Sequence, residues 1–326
     1  MAENSKIDWC DHTHNHWIGC TKVSPGCANC YAEKLNARFG HDNFGAGKPR
    51  RLTTKANRRK PLRWNRDAEI KFNAWEKFKQ AHPGLTDHQL KTQGFIKPRR
   101  PKVFCASMAD VFDDEVPKEW RYDLFNLILS TPYLDWLLLT KRIGNVKRHM
   151  DEILPPILKE FPADHPLVWP WDHVWLGITV CNQEEANRDI PKLLDTPAFR
   201  RFISCEPLLG PIDIEKAGAW RSEILGIDWV IVGGESGHNA RPMYPQWARK
   251  IRDDCDMFST PFMLKQNGEW ANLNDMHFLP SMKAQRWVCN NKIGPHPDDP
   301  LEMVYRVGKK AAGRLLDGVE HMEVPS

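Results

Sequence analysis

The amino-acid sequence predicts an α/β protein folded as a complete or partial (β/α) barrel, with a basic insertion after its first strand–helix unit. Three observations carry that expectation. Short apolar or β-branched runs alternate with amphipathic stretches of helical length, the pattern of βα units on a parallel sheet. Runs such as WLLLT (136–140) and WVIVG (229–233) are apolar on both faces, which a strand tolerates when both of its sides are covered. Seven such units fit within 326 residues, and a (β/α) barrel needs about 250, so a barrel wall is favoured over an open doubly wound sheet.

In chain order, the first strand is expected near His16–Gly19 and the first helix at Ala32–Phe39. A strand at Lys102–Ala106 then leads to a helix at Lys118–Ser130, and WLLLT gives the strand Trp136–Thr140, followed by a helix at Asn145–Glu160. The next pair is Val174–Val180 with Glu184–Leu194. Three further strands, Arg201–Ser204, Trp229–Val232 and Pro261–Lys265, enclose one more helix at Gln246–Phe258. Residues 40–101 break the rhythm. They are polar and basic, show helical patterning at Ala68–Gln80 and end in KPRRP, so they read as an insertion into a barrel spanning 1–270. Residues 271–326 read as an extension packed on that barrel, irregular until Leu301–Val307, with a closing basic helix or turn at Gly308–Leu316.

Composition excludes several classes. With 41% hydrophobic and 27% charged residues the chain is an ordinary globular one, and a core of this size needs no disulfide staples. The N-terminus lacks the apolar segment of a secretory signal, and no apolar run approaches the ~18 residues of a membrane span. A cytoplasmic location and no membrane partner are therefore expected, and the nine cysteines point to thiolate chemistry or burial before disulfides.

The net charge of +4 is distributed unevenly. Lys48, Arg50, Arg51, Lys55, Arg58, Arg59, Lys60, Arg63 and Arg66 lie in one run without an acidic residue. Such a run neutralises phosphates, and Trp64 within it is a candidate to stack on a base, so Lys48–Arg66 is a candidate nucleic-acid contact. The alternative is a solvated insert that keeps the chain soluble.

Cys20, Cys27 and Cys30 follow the expected first strand and precede the expected first helix. Thiolates are soft ligands for iron–sulfur clusters or zinc, and Pro25 and Gly26 would turn the loop so that the three converge. Three thiolates leave one position open where a structural site would use four protein ligands. Zinc is the alternative, with Cys10, His14 or His16 as a fourth ligand. Cys105, Cys181, Cys205, Cys255 and Cys289 are expected as small core residues. Trp136, Trp175 and Trp229 are expected in the core, and Trp9 and Trp17 beside the cysteine loop as a shield against water.

At the carboxyl ends of the strands, where (β/α) barrels carry their sites, polar residues recur. Ser107 and Asp110 follow the second strand, Thr140, Lys141 and Arg142 the third, and Thr179 the fourth. Glu206 follows the fifth, Gly233, Gly234 and Glu235 the sixth, and Lys265 the seventh. Glu235 and Lys265 equally suit a structural ion pair. GGESG (233–237) lacks the spacing and ending of a phosphate-binding P-loop.

The segments GCTKVSPGCANCYAEKL, FCASMADVFDDEVP, LLLTKR, WLGITVCNQ, FISCEPLLGPI, WVIVGGESG and KQNGEW together resemble a widespread family of phage and bacterial proteins of unassigned function. The resemblance runs from Ser5 to about Trp270 and returns at VGKKAAGRLLDG. That family is similar to radical S-adenosylmethionine (SAM) proteins, especially those around spore photoproduct lyase, in which Tyr-Ala also follows the last cluster cysteine. The usual spacing there is C-x3-C-x2-C, whereas here the first gap is six residues.

The resemblance implies a radical-SAM-like barrel and a [4Fe-4S] cluster on Cys20, Cys27 and Cys30, with SAM chelating the open iron. It implies reductive cleavage of SAM to methionine and a 5′-deoxyadenosyl radical, fed by an electron donor such as flavodoxin or ferredoxin. Ser107, Asp110, Thr179, Glu206, Gly233 and Gly234 would then bind the cofactor, and Lys141, Glu206, Glu235 and Lys265 are the candidate catalytic residues. The basic run turns the substrate expectation toward a nucleic-acid base. The competing reading is a non-catalytic nucleic-acid-binding protein with a structural zinc.

Overall fold

A computed structural model of the chain describes residues 3–159, 168–222, 225–276, 280–281, 284–288 and 303–325. Its centre is a seven-stranded sheet whose strands are all parallel and lie side by side in chain order. The strands are β1 (His12–His14), β2 (Lys102–Cys105), β3 (Asp135–Thr140), β4 (Val174–Thr179), β5 (Arg200–Cys205), β6 (Trp229–Gly233) and β7 (Phe262–Gln266). Sequential order means that every crossover returns on the same side, which curls the sheet instead of winding it both ways. Among the described residues β1 and β7 do not pair, so the sheet is a half-barrel, the partial form of the expected fold.

The main helices are α1 (Tyr31–Arg38), α2 (Lys60–Ala81), α3 (Lys118–Leu129), α4 (Ile143–Lys159), α5 (Gln183–Asp195) and α6 (Pro245–Met257). Side chains of the strands divide by alternation into two cores. Trp136, Leu138, Leu176, Ile178, Val230 and Val232 face the helices. Leu137, Trp175, Phe202, Trp229, Ile231 and Met263 fill the concave side together with Trp9 and Cys10. The tryptophans expected in the core are there. Trp9 and Trp17, expected to shield the cysteines, are buried in the two cores. Trp9 packs on Phe104 at 4.5 Å inside the half-barrel, and Trp17 is buried in the helix-side core.

The first strand differs from expectation. Trp17–Ile18 is a two-residue strand that pairs antiparallel with Arg51–Leu52, and the sheet begins earlier, at His12–His14. The histidines hide the strand from an apolar pattern, yet each is accommodated. His12 stacks on Trp64 at 4.2 Å and His14 meets the edge of Trp136 at 5.5 Å.

Trp64 belongs to α2, whose buried face also presents Ala68 and Trp75. With Asn65 accepting from the Tyr133 amide at 2.8 Å, this helix covers the outside of the sheet near β1 and β3. The insertion therefore supplies the helix layer of the first βα unit. Because Trp64 is 3% exposed, the expectation that it stacks on a base is corrected.

Beyond β7, Trp270–Asn272 and Arg286–Val288 flank Met303–Arg306 in a small antiparallel sheet. Lys309–Ala312 is the short helix of the basic segment. The end of the chain runs back along β7: Leu264 donates to the His321 carbonyl at 2.9 Å and the Trp229 indole to that of Glu323 at 2.9 Å. No described helix is long and apolar enough to cross a membrane. Cys289 lies outside the described residues.

Candidate functional site

The segment 19–30 is fastened to the carboxyl end of the half-barrel at four places. Gly19 extends β2 by donating to the Met108 carbonyl at 3.1 Å. The Thr21 carbonyl accepts from Arg142 after β3 at 2.7 Å. Ser24 caps the turn Pro25–Cys27 through the Gly26 amide at 3.0 Å, and its hydroxyl lies 3.8 Å from Cys181 Sγ after β4. On the far side, Asn29 donates to Glu235 after β6 at 2.9 Å, and Arg241 donates to the Pro25 carbonyl at 3.0 Å. Three of these bonds, from Arg142, to Glu235 and from Arg241, involve a charged group and are worth about 1.5–3 kcal/mol each, and the neutral ones about 1 kcal/mol.

The three cysteines are half-buried and free. Cys20 accepts from Arg142 Nη1 at 3.4 Å, and that guanidinium is paired with Asp110 at 3.0 Å. Burial, reinforced by the Asp110 carboxylate, pushes the Cys20 thiol up to about 12. Cys27 and Cys30 border Lys22, which pairs with Glu33 at 2.7 Å and whose charge is favoured further by both sulfurs. The expectation that the three converge needs correction in one respect. Among the described residues no three His, Cys, Asp or Glu side chains gather around one ion position. Of the candidate fourth ligands, Cys10 is in the concave core, His14 lies against Trp136, and His16 lies 3.5 Å from His14 and edge-on to Trp17.

The polar strand ends sort into two groups. Inside the mouth, Glu206 Oε1 meets Lys265 Nζ at 2.9 Å, and Ser204 Oγ approaches Glu206 Oε2 at 3.4 Å. Thr179 is the β4 neighbour of Ser204 and is buried. Gly233 makes this possible, since a Cβ there would stand 2.5 Å from Glu206 Oε1. Lys141 follows β3 and has no carboxylate partner among the described residues, and its charge favours the Cys181 thiolate, against the burial that pushes that thiol up to about 12.

The second group is structural. Asp110 accepts from Thr140 at 2.7 Å, from the Lys141 and Phe112 amides, and from Arg142. Ser107 accepts from Asn15 at 2.9 Å. Gly234 is required by packing, because a Cβ would lie 2.2 Å from the Asn267 carbonyl oxygen. Glu235 pairs with Arg241 at 2.6 Å, not with Lys265. Burial opposes its ionisation, but the bonds from Arg241 and Asn29 outweigh it and hold the carboxyl below its usual range. Asn29, Arg241 and Cys181 were not expected at the site. Cys181 had a signal, since it follows a strand end directly.

The basic run is also divided. Arg50 is buried, paired with Asp113 at 2.8 Å and donating to the Gly45 and Lys48 carbonyls, so it folds the insert. Arg58 donates to the Thr53 carbonyl and Arg63 pairs with Glu3. Arg51, Lys55, Arg59 and Arg66 are exposed.

Residues 4–325 match the model of a family described as a protein of unknown function (DUF5131). No curated protein and no solved structure matches the chain.

Proposed function

The chain belongs to this family, and we propose that it is an iron–sulfur enzyme of the radical SAM type, with the cluster held by Cys20, Cys27 and Cys30. The supporting observation is the seating of the cysteine loop across the carboxyl mouth of a parallel half-barrel, where Asn29 and Arg241 tie it to β6 and Arg142 ties it to β3. The donor set fits such a group. Three free thiols are accompanied by the cations Lys22 and Arg142, which offset thiolate charge. A cluster takes one thiolate per iron, so three thiolates would leave one iron open. The cofactors supply one-electron reduction and hydrogen abstraction when bound, and the chain supplies position.

The chain's own residues would act as follows. Glu206, held toward the mouth by Lys265 and Ser204, presents an acceptor for an ammonium or a sugar hydroxyl. Lys141 presents a cation for a carboxylate. Glu235 is a positioning residue, acting through Asn29 and Arg241 on the cysteine loop. The exposed cations Arg51, Lys55, Arg59 and Arg66 support a nucleic-acid base as substrate class, and a flavodoxin or ferredoxin as electron donor follows from the chemistry proposed.

Anaerobic purification followed by iron, sulfide and zinc analysis tests the reading. A brown protein that releases 5′-deoxyadenosine from SAM with dithionite, and ceases to do so as Cys27→Ala, is expected. A colourless protein with one zinc and no iron would instead identify a structural metal site in a nucleic-acid-binding protein.

A further inference from the structure

The opposite end of the half-barrel holds a cavity of about 820 Å3, formed where the strands begin. Lys102 opens β2, Asp135 opens β3, Arg200 opens β5, and Trp175 and Met263 stand one residue into β4 and β7. A cavity of this size suits one small organic molecule. Its wall has two characters. Trp9, Met263, Met322 and the rim residues Phe199 and Val324 make one side apolar, and Phe199 is 52% exposed. On the other side the charges are unevenly matched. Arg99 holds Asp11 with two bonds of 2.7 Å and Arg100 holds Asp172 at 2.9 Å. Lys102 is 8% exposed, with its ammonium 5.5 Å from the centroid of the Trp175 ring, and no carboxylate among the described residues pairs with it. Arg200 stands over the same ring at 4.8 Å. A buried ammonium with no direct carboxylate partner is poorly solvated, and burial, aided by Arg99, holds Lys102 below the usual lysine range although Asp135 and Asp11 act from a distance to favour its charge.

We propose that this cavity is a second binding site, for a small organic anion with an apolar body, whose acidic group meets Lys102 and whose body lies against Trp9, Met263 and Phe199. The end of the chain forms part of the wall, since Met322 bridges to Met263 and Glu323 accepts from Phe262 and Trp229. Occupancy therefore also secures the terminal segment along β7. The site is separate from the cysteine mouth and does not depend on it.

Calorimetric titration of the full chain with 2-naphthoate, with 2-naphthylmethylammonium and with inorganic phosphate tests this. Naphthoate is expected to bind at least about tenfold more tightly than the other two, since one charge-assisted hydrogen bond is worth that factor. Lys102→Met should remove the preference for the anion. Phe199→Ser, at an exposed rim position, should weaken naphthoate several-fold with the melting temperature unchanged, and it decides the matter if Lys102→Met does not fold. Absence of naphthoate binding, equal binding of phosphate or the ammonium, or a Phe199→Ser titration like the native one would overturn the proposal.

Discussion

Asn29, in the turn between Cys27 and Cys30, donates its side-chain amide to Glu235 across 2.9 Å, joining positions 206 residues apart. The same carboxylate takes two side-chain bonds and one backbone bond from Arg241, which in turn reaches the Pro25 carbonyl. One acid at the end of β6 thus fixes both ends of the turn. Glu235→Gln keeps the shape and removes the charge. It is expected to cost about 1–3 kcal/mol and to lower iron retention, though it touches no cysteine. Thermal unfolding and iron per chain measure the two effects. A Glu235→Gln protein that holds iron as the native one does would separate the clamp from the metal.

Gly233 and Gly234 are adjacent but make opposite predictions. A Cβ at Gly233 meets the end of the Glu206 side chain, which can swing away, so Gly233→Ala should cost only about 1 kcal/mol. It should nevertheless break the Glu206–Lys265 pair and reduce 5′-deoxyadenosine release. At Gly234 the obstacle is the Asn267 backbone, which cannot yield, and the cost should reach about 3 kcal/mol. Denaturant unfolding of both variants beside the SAM assay distinguishes them. Equal stabilities would contradict the packing described.

These details mark what a sequence can carry. β3 and β6 were legible because strands covered on both faces are apolar throughout, and WLLLT and WVIVG leave no other reading. β1 was not, because an edge strand written His-Thr-His gains its burial from Trp64 and Trp136, both distant in the chain. The helix in the insertion was legible at Ala68–Gln80, whereas its first two turns lay hidden among arginines around Trp64. The strand-end polar residues stood out at the site. Which acid meets which base did not, since Lys265 choosing Glu206 and Glu235 choosing Arg241 depends on how the fifth, sixth and seventh strands sit side by side.

The basic run should separate into two classes on mutation. Arg50→Met leaves the buried Asp113 with only the longer Arg142 contact of 3.9 Å and should cost about 3 kcal/mol. Arg59→Ala with Arg66→Ala removes two exposed cations and should leave stability within about 0.5 kcal/mol. If the insert binds nucleic acid, the double variant should also reduce the salt slope of binding by about 0.9 for each phosphate no longer neutralised. Binding measured across a range of salt gives the slope, and an unchanged slope assigns these cations to solubility.

His14 and His16 predict a loss of stability in mild acid. Burial pulls His16 down to about 4, and Arg58 adds to the shift; His14, buried beside it at 3.5 Å, is lowered also. An unfolded histidine takes its proton near 6.5, so the unfolded chain binds protons first as the pH falls. The contribution to stability is complete above about 6.5, declines through the window, and levels off once the folded residue titrates near 4. For His16 alone the loss across that window is about 3 kcal/mol. Asp135 works in the other direction, because burial lifts it to about 6 and the folded chain binds its proton first. The two effects separate in His16→Phe, which keeps a ring against Trp17 and leaves Asp135 in place. Denaturant unfolding between pH 7.5 and 4.5 should show a shallower decline for His16→Phe than for the native chain. Parallel curves would mean that His16 takes its proton as readily in the folded chain as in the unfolded one.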